Sequence, residues 1–241
     1  MKKILVIALA VVMMVSALAL VACGPQEKVA YGIVHKSYVG KGTIVVAGGK
    51  ISSASIDEAC LPTYVVASEA SADTVTVEVE DHGEMKTKHY YKTVKFADIT
   101  LEYDAADGYK AGSTKLMDLL KDEANCEKWF EAVASDSVSV MIAGKEDKTI
   151  MTSAKLLKSK NGYWSETHAG VVNGTALGWK ANVKATCDYV VANGFAAESF
   201  EQVAGEGKLD NEKVDNLGVH TGATWTDMMD YYNVLKAAFN K

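Results

Sequence analysis

Two runs rich in β-branched residues flank a Gly-Gly step: Thr43-Ile44-Val45-Val46-Ala47, then Gly48-Gly49, then Lys50-Ile51-Ser52-Ser53-Ala54-Ser55-Ile56. A two-residue turn between twisted antiparallel strands needs positive φ at its central positions, which glycine adopts without steric cost. This segment therefore commits the chain to a β-hairpin. The pattern recurs downstream. Thr74-Val75-Thr76-Val77-Glu78-Val79-Glu80 alternates with a period of two, Asp81-His82-Gly83 turns the chain, and Met85 to Val94 returns. Ile99 to Tyr103 and Val138 to Ile142 read as two more strands, and Gly144-Lys145-Glu146-Asp147 joins the latter to a run from Thr149 to Leu156. The sheet is expected to be largely antiparallel and hairpin-built.

Helical periodicity appears between and after these strands. Ser113 or Thr114 can cap a helix carrying Leu116, Leu119, Leu120, Trp129, Phe130 and Val133 at close to a 3.6-residue period. A second helix is expected from Trp179 to Ala192, stopped by Asn193-Gly194, and a last one from about Trp225 to Phe239. Strands and helices in this order indicate an α+β fold, a largely antiparallel sheet packed with helices. The expected organisation is a leader at 1–22, an anchor and tether at 23–40, a β-rich lobe with one helix at 41–157, and a C-terminal lobe at 158–241.

The leader has Lys2-Lys3, an apolar run from Ile4 to Leu20, and then Leu20-Val21-Ala22-Cys23-Gly24-Pro25. A charged start, an apolar core and small residues before a cut describe a secretory signal peptide. The run is at the short end of what spans a bilayer. Cys23 following Leu-Val-Ala resembles the lipobox of bacterial lipoproteins, in which the first mature residue carries a diacylglycerol. The resemblance implies a chain anchored in the lipid bilayer through acylated Cys23, on the extracytoplasmic face of the cell membrane.

The formal charge is −6, and removing Lys2 and Lys3 with the leader leaves −8. An acidic domain is poorly suited to nucleic acid, which rewards basic patches. All 25 basic residues are Lys. A phosphate in a site must then be held by backbone N–H groups, hydroxyls or ammonium charges, not by a guanidinium fork. Cys60, Cys126 and Cys187 are far apart and show no C-x-x-C spacing, which indicates neither a zinc knuckle nor a thioredoxin-like pair; buried apolar thiols are expected, with one disulfide as the alternative in an oxidising compartment. The five histidines show no metal-ligand spacing.

The segment most suited to chemistry is Thr221-Gly222-Ala223-Thr224, just ahead of the last helix. Small residues let a ligand approach the backbone, and the free N–H groups of a helix start favour an anion. The competing reading is a simple helix cap, with Thr224 and Asp227 forming a capping box in which Asp stands for Glu.

A Ser/Thr-Gly-Ala-Thr segment leading into a helix resembles the flavinylation motif of FMN-binding domains. Such domains occur in the C subunit of sodium-pumping NADH:quinone reductase, the G subunit of Rnf complexes and Gram-positive electron-transfer lipoproteins. The strand from Gly49-Lys50-Ile51 to Ile56 is similar to the opening strand of that domain. Together with the lipobox, the chain resembles the pheromone-precursor-type flavin lipoproteins of Gram-positive bacteria. The resemblance implies FMN joined to Thr224 through a phosphoester by a separate flavin transferase, with Gly222 and Ala223 giving a tight backbone and Thr221 a hydroxyl beside the phosphate. The acid that precedes the acceptor in family motifs is replaced here by Gly218, and the nearest upstream acid is Asp215. The stretch from Leu61 to Leu156 is accounted for by an insertion in such a domain or by a second, related lobe.

Tyr163 and Trp164 lie in a polar, glycine-punctuated stretch, where they could stack on an isoalloxazine ring while Thr175 or Asn173 bonds its polar edge; otherwise one of them plugs the core. Glu166 and His168 lack an accompanying nucleophile motif, which disfavours hydrolase chemistry. The expected function is that of an electron-carrier flavoprotein, not a stand-alone catalyst, linking a membrane donor to an extracytoplasmic acceptor. The alternative is a non-redox lipoprotein that binds a ligand or serves the envelope or adhesion.

Overall fold

The computed structural model describes residues 24–81, 83–148, 153–161, 171–172, 175–176, 178–195 and 228–241. Strands β1 (Gln26–Val34), β2 (Tyr38–Ala47) and β3 (Lys50–Cys60) form an antiparallel meander in the order β1-β2-β3. The hairpin joining β2 to β3 turns at Gly48 and Gly49, whose φ angles are 59° and 76°. A register shift at Val45/Val46 marks a bulge just before that turn. The stretch from Gln26 to Gly40, expected as a tether, is a correction: it forms β1 and the start of β2. Ala30, Val34 and Val39 are fully buried there, so the segment is held by the core as well as by its ladder. Lys28 and Gly32 interrupt its apolar alternation and hide the strand in the sequence.

A second sheet contains β4 (Val66–Ala67), β5 (Thr74–Asp81) and β6 (Glu84–Tyr91), in the order β4-β6-β5. A six-stranded sheet follows, in the order β10-β9-β8-β7-β11-β12. Its strands are β7 (Thr93–Phe96), β8 (Ile99–Asp104), β9 (Gly108–Ala111), β10 (Thr114–Lys115), β11 (Ser139–Ile142) and β12 (Lys145–Asp147). Strands β13 (Val171–Val172) and β14 (Thr175–Ala176) make a separate pair. Every pairing among the described strands is antiparallel, so the α+β class with hairpin-built sheets is observed.

The helix expected after Ser113 is two helices, α1 (Leu116–Leu119) and α2 (Glu123–Ala134). Thr114 belongs to β10, and the cap of α2 is Asp122, whose Oδ1 accepts the Ala124 N–H at 3.0 Å. The run expected to continue to Leu156 ends in a helical turn, α3 (Ser153–Leu156), with the Ser153 N–H donating to Asp136 Oδ1. Helix α4 (Trp179–Asn193) closes at Gly194, which takes φ 66° and returns its N–H to Val190 O at 2.8 Å. Helix α5 spans Met228–Phe239.

These helices cover both faces of β1–β3. On one face Tyr31 and Lys41, paired across the ladder, both reach Glu131 of α2, and the Tyr31 ring packs on Phe130. Gly32 and Gly42 lie on the opposite face against Val234 of α5, and α4 packs along β3. Residues on both sides of Leu157 share one hydrophobic core. Trp129 of α2 is fully buried in it, donates Nε1–H to Cys60 O at 2.9 Å and meets Phe96 edge to face at 5.0 Å.

Candidate functional site

Most of the residues singled out in the sequence lie outside the described residues: Cys23, Tyr163, Trp164, Thr221, Gly222, Ala223 and Thr224, with Glu166, His168 and Asn173. Thr175 falls in β14, opposite Val172. Three described segments, the start of α5, the 157–161 turn and the start of α4, lie at the end of the β1–β3 sheet where β1 turns into β2, whereas Gln26, three residues after Cys23, lies at the other end, opposite Val46.

Helix α5 runs antiparallel to β1. Its C-terminal carbonyl at Phe239 accepts from Lys28 Nζ at 2.8 Å, while Asp230 in its first turn accepts the His35 N–H at 3.0 Å. The start of α5 is thus fixed to the turn joining β1 and β2. In that turn His35 and Lys36 take φ 49° and 53°, a left-handed pair costing about 1–3 kcal/mol per non-glycine residue, and such strain concentrates at ligand clamps and switches. The His35 ring stacks on Tyr38 at 5.9 Å, and the Tyr38 hydroxyl lies 3.4 Å from that of Tyr64.

Lys158 Nζ sits 3.8 Å from the centre of the Tyr38 ring and 2.7 Å from Glu58 Oε2. Both charges are buried: the Glu58 side chain is 0% exposed and that of Lys158 6%. The second carboxylate oxygen of Glu58 accepts Trp179 Nε1–H, at the start of α4. Backbone bonds tighten the junction. The Lys158 N–H donates to Glu58 O at 2.8 Å, and Leu157 bridges Ala59. Ser159 gives Asp57 its N–H at 3.1 Å and its hydroxyl at 2.5 Å. Ser159 and Trp179, which lie on either side of the stretch 162–178, are therefore both tied back to the end of β3.

Burial holds the Asp57 carboxyl above the usual carboxylate range, outweighing the hydrogen bonds from Ser159 and the Glu58 N–H and the charge of Lys160. Burial also pushes the Tyr38 hydroxyl well up, and raises the Cys60 thiol to about 12 despite the nearby Lys158 ammonium. Sequence reasoning missed the Glu58–Lys158 pair. One signal was present: Glu58 follows Ile56 and precedes Cys60 in the strand alternation, an acid at a core-facing position, and such a residue needs a partner.

Among the described residues no group of His, Cys, Asp or Glu is arranged to hold a metal ion. A 260 Å³ cavity opens beside β7, β8 and β11, lined by Lys95, Thr100, Ser139 and Glu146 among others, and shares no residue with the Glu58 cluster. No described helix is long and apolar enough to cross a membrane. No known protein family, curated protein or solved structure matches this chain.

Proposed function

We propose that this chain is a membrane-anchored extracytoplasmic flavoprotein, carrying one FMN esterified to Thr224 and passing electrons from a membrane donor to an external acceptor. On this reading β1–β3 with α4 and α5 form an FMN-binding-type domain, and residues 61–156 are an insertion between β3 and the helices that complete it. Acylated Cys23 tethers the protein to the bilayer, and a flavin transferase supplies the cofactor. FMN brings the redox chemistry; the chain contributes attachment and orientation.

The observation that carries the reading is the position of α5. Thr221-Gly222-Ala223-Thr224 ends four residues before Met228, and extended chain covers at most about 3.5 Å per residue, so Thr224 stays within roughly 14 Å of the helix start. That start is bonded to the strained His35–Lys36 turn, next to the Tyr38–Lys158–Glu58 cluster, where Ser159 is bonded to Asp57 and Trp179 to Glu58. The described residues that follow the Thr221–Thr224 motif, and those on either side of the stretch bearing Tyr163 and Trp164, thus lie at the same end of one sheet, which supports a common site. A phosphate there needs no arginine, in keeping with the all-lysine composition.

The test is intact mass and visible absorbance of the full chain, exported from a host with an active flavin transferase, beside a Thr224→Val variant. A mass gain of FMN less water, with yellow colour that survives denaturation and is missing from the variant, supports attachment at Thr224. Flavin that leaves on denaturation removes the ester but keeps the carrier. A colourless wild type makes Thr224 a helix cap and brings forward the non-redox ligand-binding or envelope lipoprotein.

A further inference from the structure

Lys158 and Glu58 are one hundred residues apart in sequence, yet their side chains meet in a pocket closed to water. Nζ lies 2.7 Å from Oε2, but Oε2 accepts no hydrogen bond of normal geometry from any described residue. The Tyr38 ring covers the ammonium at 3.8 Å, and Trp179 Nε1–H holds Oε1. Lys158 N–H to Glu58 O and Ser159 to Asp57 fix the two backbones side by side, so nucleophile and carboxyl are preset in one geometry. Keeping both charges dry carries a desolvation penalty for each ion. A neutral amide in their place would carry no such penalty. Cys60, Cys126 and Cys187 are all free, so no disulfide staples this part of the chain.

We propose that Lys158 Nζ and Glu58 Cδ become joined by an intramolecular amide cross-link. The ammonium passes a proton to the carboxylate, and the resulting amine attacks Cδ. The Nζ–Cδ bond forms while the Cδ–Oε2 bond breaks, and Oε2 leaves as water with both protons. Ammonium plus carboxylate thus becomes amide plus water, with no oxidant or co-substrate. Trp179 acts as a positioning residue: its N–H bonds Oε1, where negative charge gathers during attack. The link would tie β3 to the start of the 158–161 turn and restrict the unfolded chain much as a disulfide does. It is independent of any flavin.

The chain has no arginine, so trypsin cuts it only after lysine, and the link leaves a specific product. Digestion of the full chain, produced without a flavin transferase and denatured first, should yield peptide Ile51–Lys86 joined to Leu156–Lys160, uncut after Lys158 and lighter than the two peptides together by one water. The Lys158→Met variant should lose the joined species. The Glu58→Leu/Lys158→Met double variant, which leaves no buried charge unpaired, provides a control in case the single variant fails to fold. Trp179→Phe should lower the joined fraction at early times after synthesis while leaving the linked product correct in mass. Recovery of both linear peptides, with cleavage after Lys158 in freshly folded and aged wild type alike, would overturn the proposal and leave a plain buried ion pair.

Discussion

Val234 of α5 sits so closely over Gly42 of β2 that a methyl group on Gly42 would come within 2.8 Å of Val234 Cγ1 and 3.1 Å of the Val234 carbonyl carbon. The second contact is helix backbone, which cannot rotate away. Gly42→Ala should therefore lift α5 from the sheet and destabilise the fold by about 1–3 kcal/mol, the usual cost of overpacking. Gly40→Ala is the comparison, because the three atoms nearest its added methyl all belong to the side chain of Val34 and none to a backbone. Urea unfolding should rank Gly42→Ala below Gly40→Ala. Equal stabilities would mean that the helix moves without cost, and the close packing would then explain nothing.

What the sequence made legible were the elements with local chemistry of their own. The Gly48-Gly49 hairpin could be read because its turn requires two positive φ angles, and the end of α4 because Gly194 takes φ 66°. The break between α1 and α2 was not legible: apolar periodicity continues through it, and only the folded chain selects Asp122 over Ser113 or Thr114 as the cap. β1 escaped notice because two of its residues interrupt the apolar pattern and its stability comes from α2 and α5, distant in sequence. The same reason hid Lys158 from Glu58. No local rule joins residues a hundred positions apart; sheet topology does. Of the candidate flavin site, Thr175 alone lies within the described residues, and there as part of β14.

Asp57 should give stability a measurable slope with pH. Burial raises its carboxyl above the unfolded value of about 3.9, so the folded chain holds that proton more tightly. Its contribution is then complete below the unfolded value and is lost as pH rises through the folded one. As pH rises above about 4, the unfolded value, the wild type should lose ground against Asp57→Asn in urea-unfolding free energy, since the variant has no such proton. Parallel curves would remove the burial argument. A wild type that gains on the variant as pH rises would reverse its sign, making the bonds from Ser159 the dominant influence.

Cys60, Cys126 and Cys187 should resist thiol reagents in the folded protein. Each is buried, and burial pushes each thiol up to about 12. The thiolate is the reactive form, and at about pH 8 such a group is ionised in roughly one molecule in ten thousand. Cys126 also donates its Sγ–H to Leu120 O at 3.0 Å, at the break between α1 and α2. With Cys23→Ser removing the fourth cysteine, a maleimide should add no label to the native chain and three after denaturation. Native labelling at Cys126 before Cys60 and Cys187 would place the first local opening at the α1–α2 break. Labelling at Cys60 would place it beside the Glu58–Lys158 junction, which a covalent cross-link there should prevent.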